Sequence, residues 1–280
     1  MEIEGYRIFK EAQRIRERYF GEETGVIRSI ALTEPGCSVN CKFCSISSQY
    51  VGKSNDGRLR EGFREDVRNA MEELRKLGNA FIELVGCWWG PSSYQVYEIA
   101  EIVKGIRQRG LRSRADIGFV SENDMQILAE VLDVYHNNLE TLPHLYPTAV
   151  GKSEARFWRK VKMIELARRY GIEVGSGILI GLGETLADVR VMARFFNEMD
   201  IPWVSTNVLE TRYLPSGLFK PVSVEEALVK LAILRTNLRE DQHLILGYGW
   251  SQFRRAGREL GLRIADTIRM GALTKRSYNW

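Results

Sequence analysis

Short apolar runs alternate with longer amphipathic stretches along this chain, and the alternation limits its fold more than any other feature. Strands are predicted at 26–33, 81–86, 111–118, 134–140, 172–181, 203–210 and 243–249. Helices are predicted between them at 65–78, 94–110, 121–132, 154–171, 186–199 and 224–238. This alternation is typical of a parallel sheet covered by helices. A count of about seven or eight units favours an α/β fold with a parallel (β/α) TIM-like barrel, complete or nearly complete, over an open doubly wound sheet.

The size and composition of the chain fit one domain. It has 280 residues, of which 44% are hydrophobic, so it can bury a large core and is not a disordered chain. We assign residues 1–280 to a single barrel domain with a helix at 1–22 and a tail at 270–280. No apolar run approaches the roughly 18 residues that a membrane helix needs, and the first residues lack a signal-peptide core. We therefore expect a cytoplasmic protein without a membrane partner. The net charge of +4 is too small to predict nucleic-acid binding.

The cysteines are the most informative residues for chemistry. Cys37, Cys41 and Cys44 lie in one loop directly after the first predicted strand, whereas Cys87 is distant in sequence. Three cysteines in so short a segment cannot form a sensible disulfide framework, and in a cytosolic chain such a group is expected to bind metal. Three soft thiolates suit an iron–sulfur cluster or zinc. Structural zinc needs four ligands and all three histidines lie far along the chain, so a cluster with one open iron fits better.

The spacing Cys37-x3-Cys41-x2-Cys44, with the aromatic Phe43 before the last cysteine, resembles the radical S-adenosylmethionine (SAM) superfamily. The resemblance implies that these cysteines hold a [4Fe–4S] cluster beside Phe43, and that SAM binds its fourth iron through its amino and carboxylate groups. It also implies that an electron, from a donor such as ferredoxin, cleaves SAM to methionine and a 5′-deoxyadenosyl radical. The radical then abstracts hydrogen from an unactivated C–H bond. A barrel mouth suits this chemistry because it excludes water.

Segment 136–146, HNNLETLPHLY, follows the fourth predicted strand and resembles the biotin synthase and lipoyl synthase branch of this superfamily. In that branch the matching segment lines the SAM pocket. The resemblance therefore implies that Asn138 and Glu140 bind the ribose or the amino-acid end of SAM. Amide and carboxylate groups suit hydroxyl and ammonium partners.

Segment 175–185, GSGILIGLGET, spans the fifth predicted strand and resembles the same branch. The resemblance implies that Gly181 and Glu184 shape the adenine edge of the SAM pocket, where glycine permits close backbone approach. It also gives Lys160 the position of a basic partner for the SAM carboxylate.

Two segments resemble lipoyl synthase more than biotin synthase. One is NLETLPHLY, and the other is the C-terminal Arg276-Ser277-Tyr278. In lipoyl synthases the matching serine, here Ser277, caps one iron of a second cluster that donates sulfur. Typical lipoyl synthases carry three further cysteines ahead of the SAM motif, and this chain lacks them. It therefore most resembles a component of the two-protein archaeal-type lipoyl synthases, which implies an octanoylated lipoyl-carrier protein or peptide and a second radical SAM subunit as partners.

Cys87 has two interpretations. Biotin synthase binds its second cluster through cysteines after the second, third and fifth strands. Cys87 matches the first of these positions, while Arg114 and Gly175 stand near the other two. Cys87 and Ser277 are thus the candidate ligands of a second Fe–S cluster. In the other interpretation Cys87 is a buried structural thiol, the usual role of a lone cysteine.

Other functions remain open at this point. Another reaction of the same branch is one alternative: biotin synthesis, a methylornithine-type rearrangement or hydrogenase cofactor maturation. The rearrangement and the maturation need no second cluster. A different class is a non-catalytic interaction module that binds an Fe–S cluster or zinc. Iron content and colour of protein prepared without oxygen separate that module from the enzymes.

Overall fold

Eight strands from successive segments of the chain build the sheet, and the sequence pattern predicts seven of them. The computed structural model describes residues 3–77 and 80–271. Its strands pair in parallel and close in the order β1-β2-β3-β4-β5-β6-β7-β8, which confirms the predicted complete (β/α) barrel. The strands are β1 (Gly25–Ala31), β2 (Ala80–Val85), β3 (Arg112–Asp116), β4 (Val134–His136), β5 (Glu173–Ile180), β6 (Trp203–Val208), β7 (His243–Leu246) and β8 (Thr267–Met270).

Helices follow the strands, and several begin at the capping residues that the sequence provides. They are α1 (Ile3–Phe20), α2 (Ser48–Val51), α3 (Phe63–Leu74), α4 (Ser93–Gln108), α5 (Glu122–Ala129), α6 (Glu154–Arg169), α7 (Leu186–Glu198), α8 (Val224–Asn237) and α9 (Arg254–Leu262). The Ser121 side chain accepts a hydrogen bond from the amide of Asp124 at the start of α5. Ser92 and Thr185 form capping boxes at the starts of α4 and α7.

The chain divides into two compact units by its packing. The β1–β4 unit contains Val26–Asn137 and Trp158–Val174, together with Met270 and Gly271. The β5–β8 unit contains α1, Asn138–Phe157 and Gly175–Arg269. Each has an apolar interior, and strands β2 and β6 are buried along their whole length, as expected for strands of a parallel sheet. No helix of the described segments is long and apolar enough to cross a membrane.

The structure differs from the sequence prediction at β4 and near both ends of the chain. Strand β4 ends at His136 rather than at residue 140, because the chain turns after it and meets β5 again at an isolated bridge between Glu140 and Ile178. Helix α9 and strand β8 lie in a region for which the sequence pattern predicted neither. The predicted N-terminal helix is Ile3–Phe20, and Met270 belongs to β8 rather than to a tail. Residues 272–280, including Ser277, lie outside the described residues.

Candidate functional site

The cysteine loop after β1 closes on itself through backbone hydrogen bonds. The amides of Gly36 and Cys37 donate to the carbonyl oxygen of Ile46 over 2.8 and 3.1 Å, and the Cys44 amide donates to the Cys41 carbonyl over 3.0 Å. Gly36 has a φ of 121°, and a Cβ at that position would lie 2.5 Å from a backbone oxygen of the neighbouring chain segment. Only glycine fits there. The loop is therefore a defined frame for the three thiols that it carries, and Phe43 lies within it.

The three thiols fit a [4Fe–4S] cluster. Desolvation raises the pKa of Cys44, and negative charge on Cys41, Cys87 and Cys37 raises it further. Ionising such neighbouring thiols is unfavourable unless a cation neutralises them. In the described part of the chain, no three His, Cys, Asp or Glu side chains meet around one ion position. Three soft thiolates in one loop are a donor set that suits an iron–sulfur cluster, which takes each thiolate at a different iron.

Cys87 lies just beyond β2, and its backbone is tied to the start of the cysteine loop. Its amide donates to Thr33 Oγ1 over 2.9 Å, and Asn55 Nδ2 donates to the carbonyl oxygens of both Cys87 and Glu34, over 2.7 and 2.8 Å. Burial raises the pKa of the Cys87 thiol to about 12, against the lowering effect of Thr33, and the charge of Cys37 also raises it. The structure thus brings Cys87 to the cysteine loop. Nothing in the spacing of Thr33 or Asn55 signals this role.

Asn138 and Glu140 are held at the edge of β5, within the β5–β8 unit. The Glu140 amide donates to the Gly177 carbonyl over 3.0 Å, and the Glu140 carbonyl accepts from the Leu179 amide over 2.8 Å. Asn138 is buried, and a Cβ on Gly177 would lie 2.6 Å from its Oδ1. Glycine at position 177 therefore makes room for the Asn138 amide. The two residues predicted to bind SAM are brought together in one short turn.

The turn after β5 is built around Glu184. Its carboxylate accepts hydrogen bonds from the amides of Gly181 and Leu182, over 2.9 and 2.8 Å. The ammonium of Lys230 lies 2.8 Å from the same carboxylate and 2.7 Å from that of Glu226. Burial lowers the pKa of Lys230, but its bonds to both carboxylates outweigh burial, and the net shift is upward. The Glu184 carboxylate therefore holds the backbone of this turn. The sequence does not indicate this role of Lys230, because Glu184 lies far from it in the chain.

Lys160 lies on α6 in the β1–β4 unit and is partly buried. It does not share a unit with Asn138 or Glu140. Its role toward the SAM carboxylate stays a prediction.

A buried ion network in the β1–β4 unit was not expected from the sequence. Arg114 Nε lies 2.8 Å from Glu83 Oε1, and Ser29 donates to the other oxygen of Glu83 over 2.6 Å. Arg114 Nη2 also lies 2.5 Å from His136 Nδ1. These four side chains come from four successive strands, and all are buried. The buried positions of parallel strands usually carry apolar residues. Arg114, which the resemblance places near a cluster-ligand position of biotin synthase, is bonded within this network.

Fold and site together define a class of protein, a parallel barrel that presents three thiols in the loop after its first strand. The family model described as "Radical SAM superfamily" matches residues 33–196. The chain therefore belongs to the radical SAM superfamily. The family implies a [4Fe–4S] cluster and SAM as cofactors.

Individual relatives and solved structures agree with this family. Biotin synthase of Salmonella heidelberg (strain SL476) is 29% identical over 180 residues, which are 64% of this chain and 51% of that protein. The chain thus spans about half the length of the curated relatives it matches. Among solved structures, methylornithine synthase (PylB) has a TM-score of 0.78 at 19% identity, over 100% of this chain and 83% of that one. The FeFe-hydrogenase maturase HydG from Carboxydothermus hydrogenoformans also has a TM-score of 0.78, at 20% identity, over 96% of this chain and 64% of that one. The two structural likenesses show the fold.

Proposed function

We propose that this chain is a component of a lipoyl-synthase-like enzyme that inserts sulfur into an octanoyl chain on a carrier protein in the cytoplasm. The observation that carries the proposal is the β4–β5 turn within NLETLPHLY, which holds Asn138 and Glu140 against β5. When bound, the cluster and SAM supply a 5′-deoxyadenosyl radical. Each C–S bond requires that one hydrogen atom leave carbon, which is the step that such a radical performs.

The residues of this chain have distinct tasks in the proposal. Cys37, Cys41 and Cys44 hold three irons and leave one for SAM. Asn138 and Glu140 bind the ribose or the ammonium group of SAM through hydrogen bonds. Two further groups contact SAM in this proposal. Lys160 approaches the carboxylate, and the Gly181 backbone, held by Glu184, approaches the adenine.

Sulfur needs a source, and the proposal assigns it to a second Fe–S cluster with Cys87 and Ser277 as ligands. Thiolates bind iron better than a serine oxygen, so a site with these two ligands would be poor in ligands and labile. Lability suits a cluster that is consumed. A second radical SAM subunit would complete the ligand set, and an electron donor such as ferredoxin would reduce the first cluster.

The test is a product analysis. The reconstituted protein is given SAM, a reductant and an octanoylated carrier peptide, with and without the candidate second subunit. We expect 5′-deoxyadenosine and thiolated octanoyl peptide by mass spectrometry. The Cys37→Ala/Cys41→Ala/Cys44→Ala variant is the control and should yield neither. If 5′-deoxyadenosine forms without any thiolated peptide in every combination, the sulfur-insertion proposal is wrong.

The buried network at Arg114 favours a second candidate, a radical SAM reaction that needs only one cluster. By the resemblance to biotin synthase, Arg114 and Gly175 stand near positions of second-cluster ligands. Here the Arg114 guanidinium is bonded to Glu83 and His136 instead. A carbon-skeleton rearrangement of the methylornithine type needs no sulfur donor. Mössbauer spectra that show a single [4Fe–4S] cluster per chain, with and without the second subunit, would favour this candidate over sulfur insertion.

A further inference from the structure

The loop after β2 directs two adjacent tryptophans in opposite directions. Trp88 is buried, and its indole N–H donates to the Ile117 carbonyl over 2.9 Å. Trp89 is 44% exposed. Its carbonyl accepts a hydrogen bond from the Phe119 amide over 3.0 Å, and a Cβ on Gly90 would lie 1.9 Å from the Phe119 carbonyl oxygen. The loop is thus packed backbone to backbone against its neighbour, and Trp89 is an exposed indole on a fixed support.

Arg159 of α6 lies over this support. Its guanidinium carbon is 4.7 Å from the ring centroid of Trp89 and 4.7 Å from that of Phe119. The two rings lie 5.1 Å apart at 37°. Cation–π contact with two rings fixes a side chain that would otherwise be mobile. Tryptophan and arginine are the residues that most often dominate binding energy at protein interfaces, and ordering them beforehand lowers the cost of binding.

The exposed face of α6 extends this surface and carries positive charge. Trp158 is 47% exposed, and Lys162 is also exposed. The two residues share a face of α6, because residues four apart on a helix are neighbours. Within residues 3–77 and 80–271, no carboxylate forms an ion pair with Arg159, Lys162 or Arg168. The exposed basic side chains of a helix often contact only water. Here Arg159 and Lys162 lie beside two exposed tryptophans, and Arg159 forms a double cation–π contact, which solvation alone does not require.

The position of this surface indicates which kind of molecule binds to it. Trp89 follows Cys87 by two residues on the same loop, so a molecule bound to Trp89 and Arg159 lies next to the cysteine loop to which Cys87 is tied. The positive charges of Arg159 and Lys162 complement an acidic surface. We propose that Trp89, Trp158, Arg159 and Lys162, which we term the Trp89–Arg159 surface, dock the acidic face of the carrier protein that brings the substrate chain. The proposal deepens the proposed function and rests on its carrier-bound substrate.

The first experiment measures binding of the reconstituted protein to an octanoylated acidic carrier domain by calorimetry. We expect Arg159→Glu/Lys162→Glu to weaken binding by about tenfold or more, and the wild-type affinity to fall as salt rises. Arg168→Glu/Arg169→Glu is the matched control. It makes the same charge change on the same helix, roughly 14 Å from Arg159 along the axis, and should leave the affinity nearly unchanged.

A second pair of variants tests the aromatic contact. We expect Trp89→Ala to weaken carrier binding, whereas Tyr94→Ala should not, although Tyr94 is 73% exposed in the same unit. Circular dichroism and iron content of each variant verify that it is folded and loaded. With a short octanoyl peptide as substrate, all four variants should retain wild-type kcat and KM, because the peptide is too small to reach the surface.

The outcomes separate this proposal from the proposed function. If the wild type binds the carrier and the surface variants do not, but no thiolated product forms, the docking surface is supported and sulfur insertion is wrong. If the wild type thiolates the peptide but does not bind the carrier, or both charge variants bind equally well, the docking proposal is overturned. If the charge reversal instead separates a dimer of this chain, the surface is a self-interface and the docking proposal is likewise overturned.

Discussion

Glu140 has a backbone conformation that favours glycine. Its φ is 69°, and its amide and carbonyl are both bonded to β5, so the turn cannot relax. A non-glycine residue with positive φ is destabilising by about 1–3 kcal/mol at strained sites. Keeping a long carboxylate side chain at such a position indicates that the side chain has a task, and the SAM ligand role is the one that we assign.

Two substitutions distinguish that task from a structural role. Glu140→Ala should weaken SAM binding by about 1–3 kcal/mol, the scale of a lost hydrogen bond to a charged group. Glu140→Gly should lose the same affinity while unfolding at a higher temperature than Glu140→Ala, because glycine relieves the backbone strain. Calorimetric titration with SAM and thermal unfolding measure the two effects. Unchanged SAM affinity in both folded variants would contradict the assignment.

The role of Cys87 can be tested separately from that of the three clustered cysteines. Cys87→Ala should retain reductive SAM cleavage, because Cys37, Cys41 and Cys44 are intact, and should lose thiolation of the octanoyl peptide. Mössbauer spectra and iron counts of wild type and variant, each with its partner, are the measurement. A wild type with a single cluster, together with a variant that still thiolates the peptide, would eliminate the second-cluster proposal.

Lys230 of α8 stabilises the turn after β5 through Glu184. Lys230→Met removes the cation from a buried carboxylate and should destabilise the protein by about 3–5 kcal/mol. Glu226→Gln, which changes the partly exposed partner, should have a much smaller effect. Because the folded-state pKa of Lys230 is raised, its contribution should be complete below about pH 10 and decline as pH rises through the folded value. Urea unfolding from pH 7 to 11 tests both expectations.

The sequence predicted the elements well where the local signals are strong. Strand and helix periodicity located every strand through β7 to within a few residues, because alternation of apolar runs is a local property. The same pattern extended β4 to residue 140, since Asn138 and Glu140 look strand-like until their turn onto β5 is known. Helix α9 is short and has Gly257 and Gly261 at its buried positions, so glycine, a poor helix former, stands where a helix usually carries large apolar residues.

The site was predicted only in part, for a physical reason. The three clustered cysteines are recognisable from their spacing. The partners that fix the site are distant in the chain: Asn55 beside Cys87, Lys230 beside Glu184, and Arg159 beside Trp89. Each of these contacts arises from folding, and no local pattern encodes it.

Helix α1 covers the amino ends of β6 and β7 within the β5–β8 unit. Phe20 lies 5.0 Å from the ring of His243, which stacks on Trp203 at 4.0 Å. Helix α1 also packs on α8 and buries Phe9 and Ala12. In parallel barrels the amino ends of the strands contribute to stability, while chemistry collects at the carboxyl ends.

Phe9→Ala should therefore lower stability without affecting the chemistry. Truncating a buried phenylalanine costs about 3–5 kcal/mol, whereas Tyr6→Ala, which alters a residue 53% exposed on the same helix, should cost little. Thermal unfolding and 5′-deoxyadenosine yield measure the two properties. If Phe9→Ala abolished SAM cleavage in folded, iron-loaded protein, the separation of the two ends would be wrong.

The network of Glu83, Arg114 and His136 has a consequence for how barrels of this family can diverge. Changing Arg114 alone to cysteine removes the salt-bridge partner of a buried carboxylate, at a cost of about 3–5 kcal/mol, whereas replacing the ion pair together by apolar residues is often nearly neutral. A double-mutant cycle on Glu83→Leu and Arg114→Leu should accordingly show strong non-additivity. Lineages that exchange a charged interior for one with a cluster ligand at this position must then pass through coordinated changes, because the single-step intermediate folds poorly.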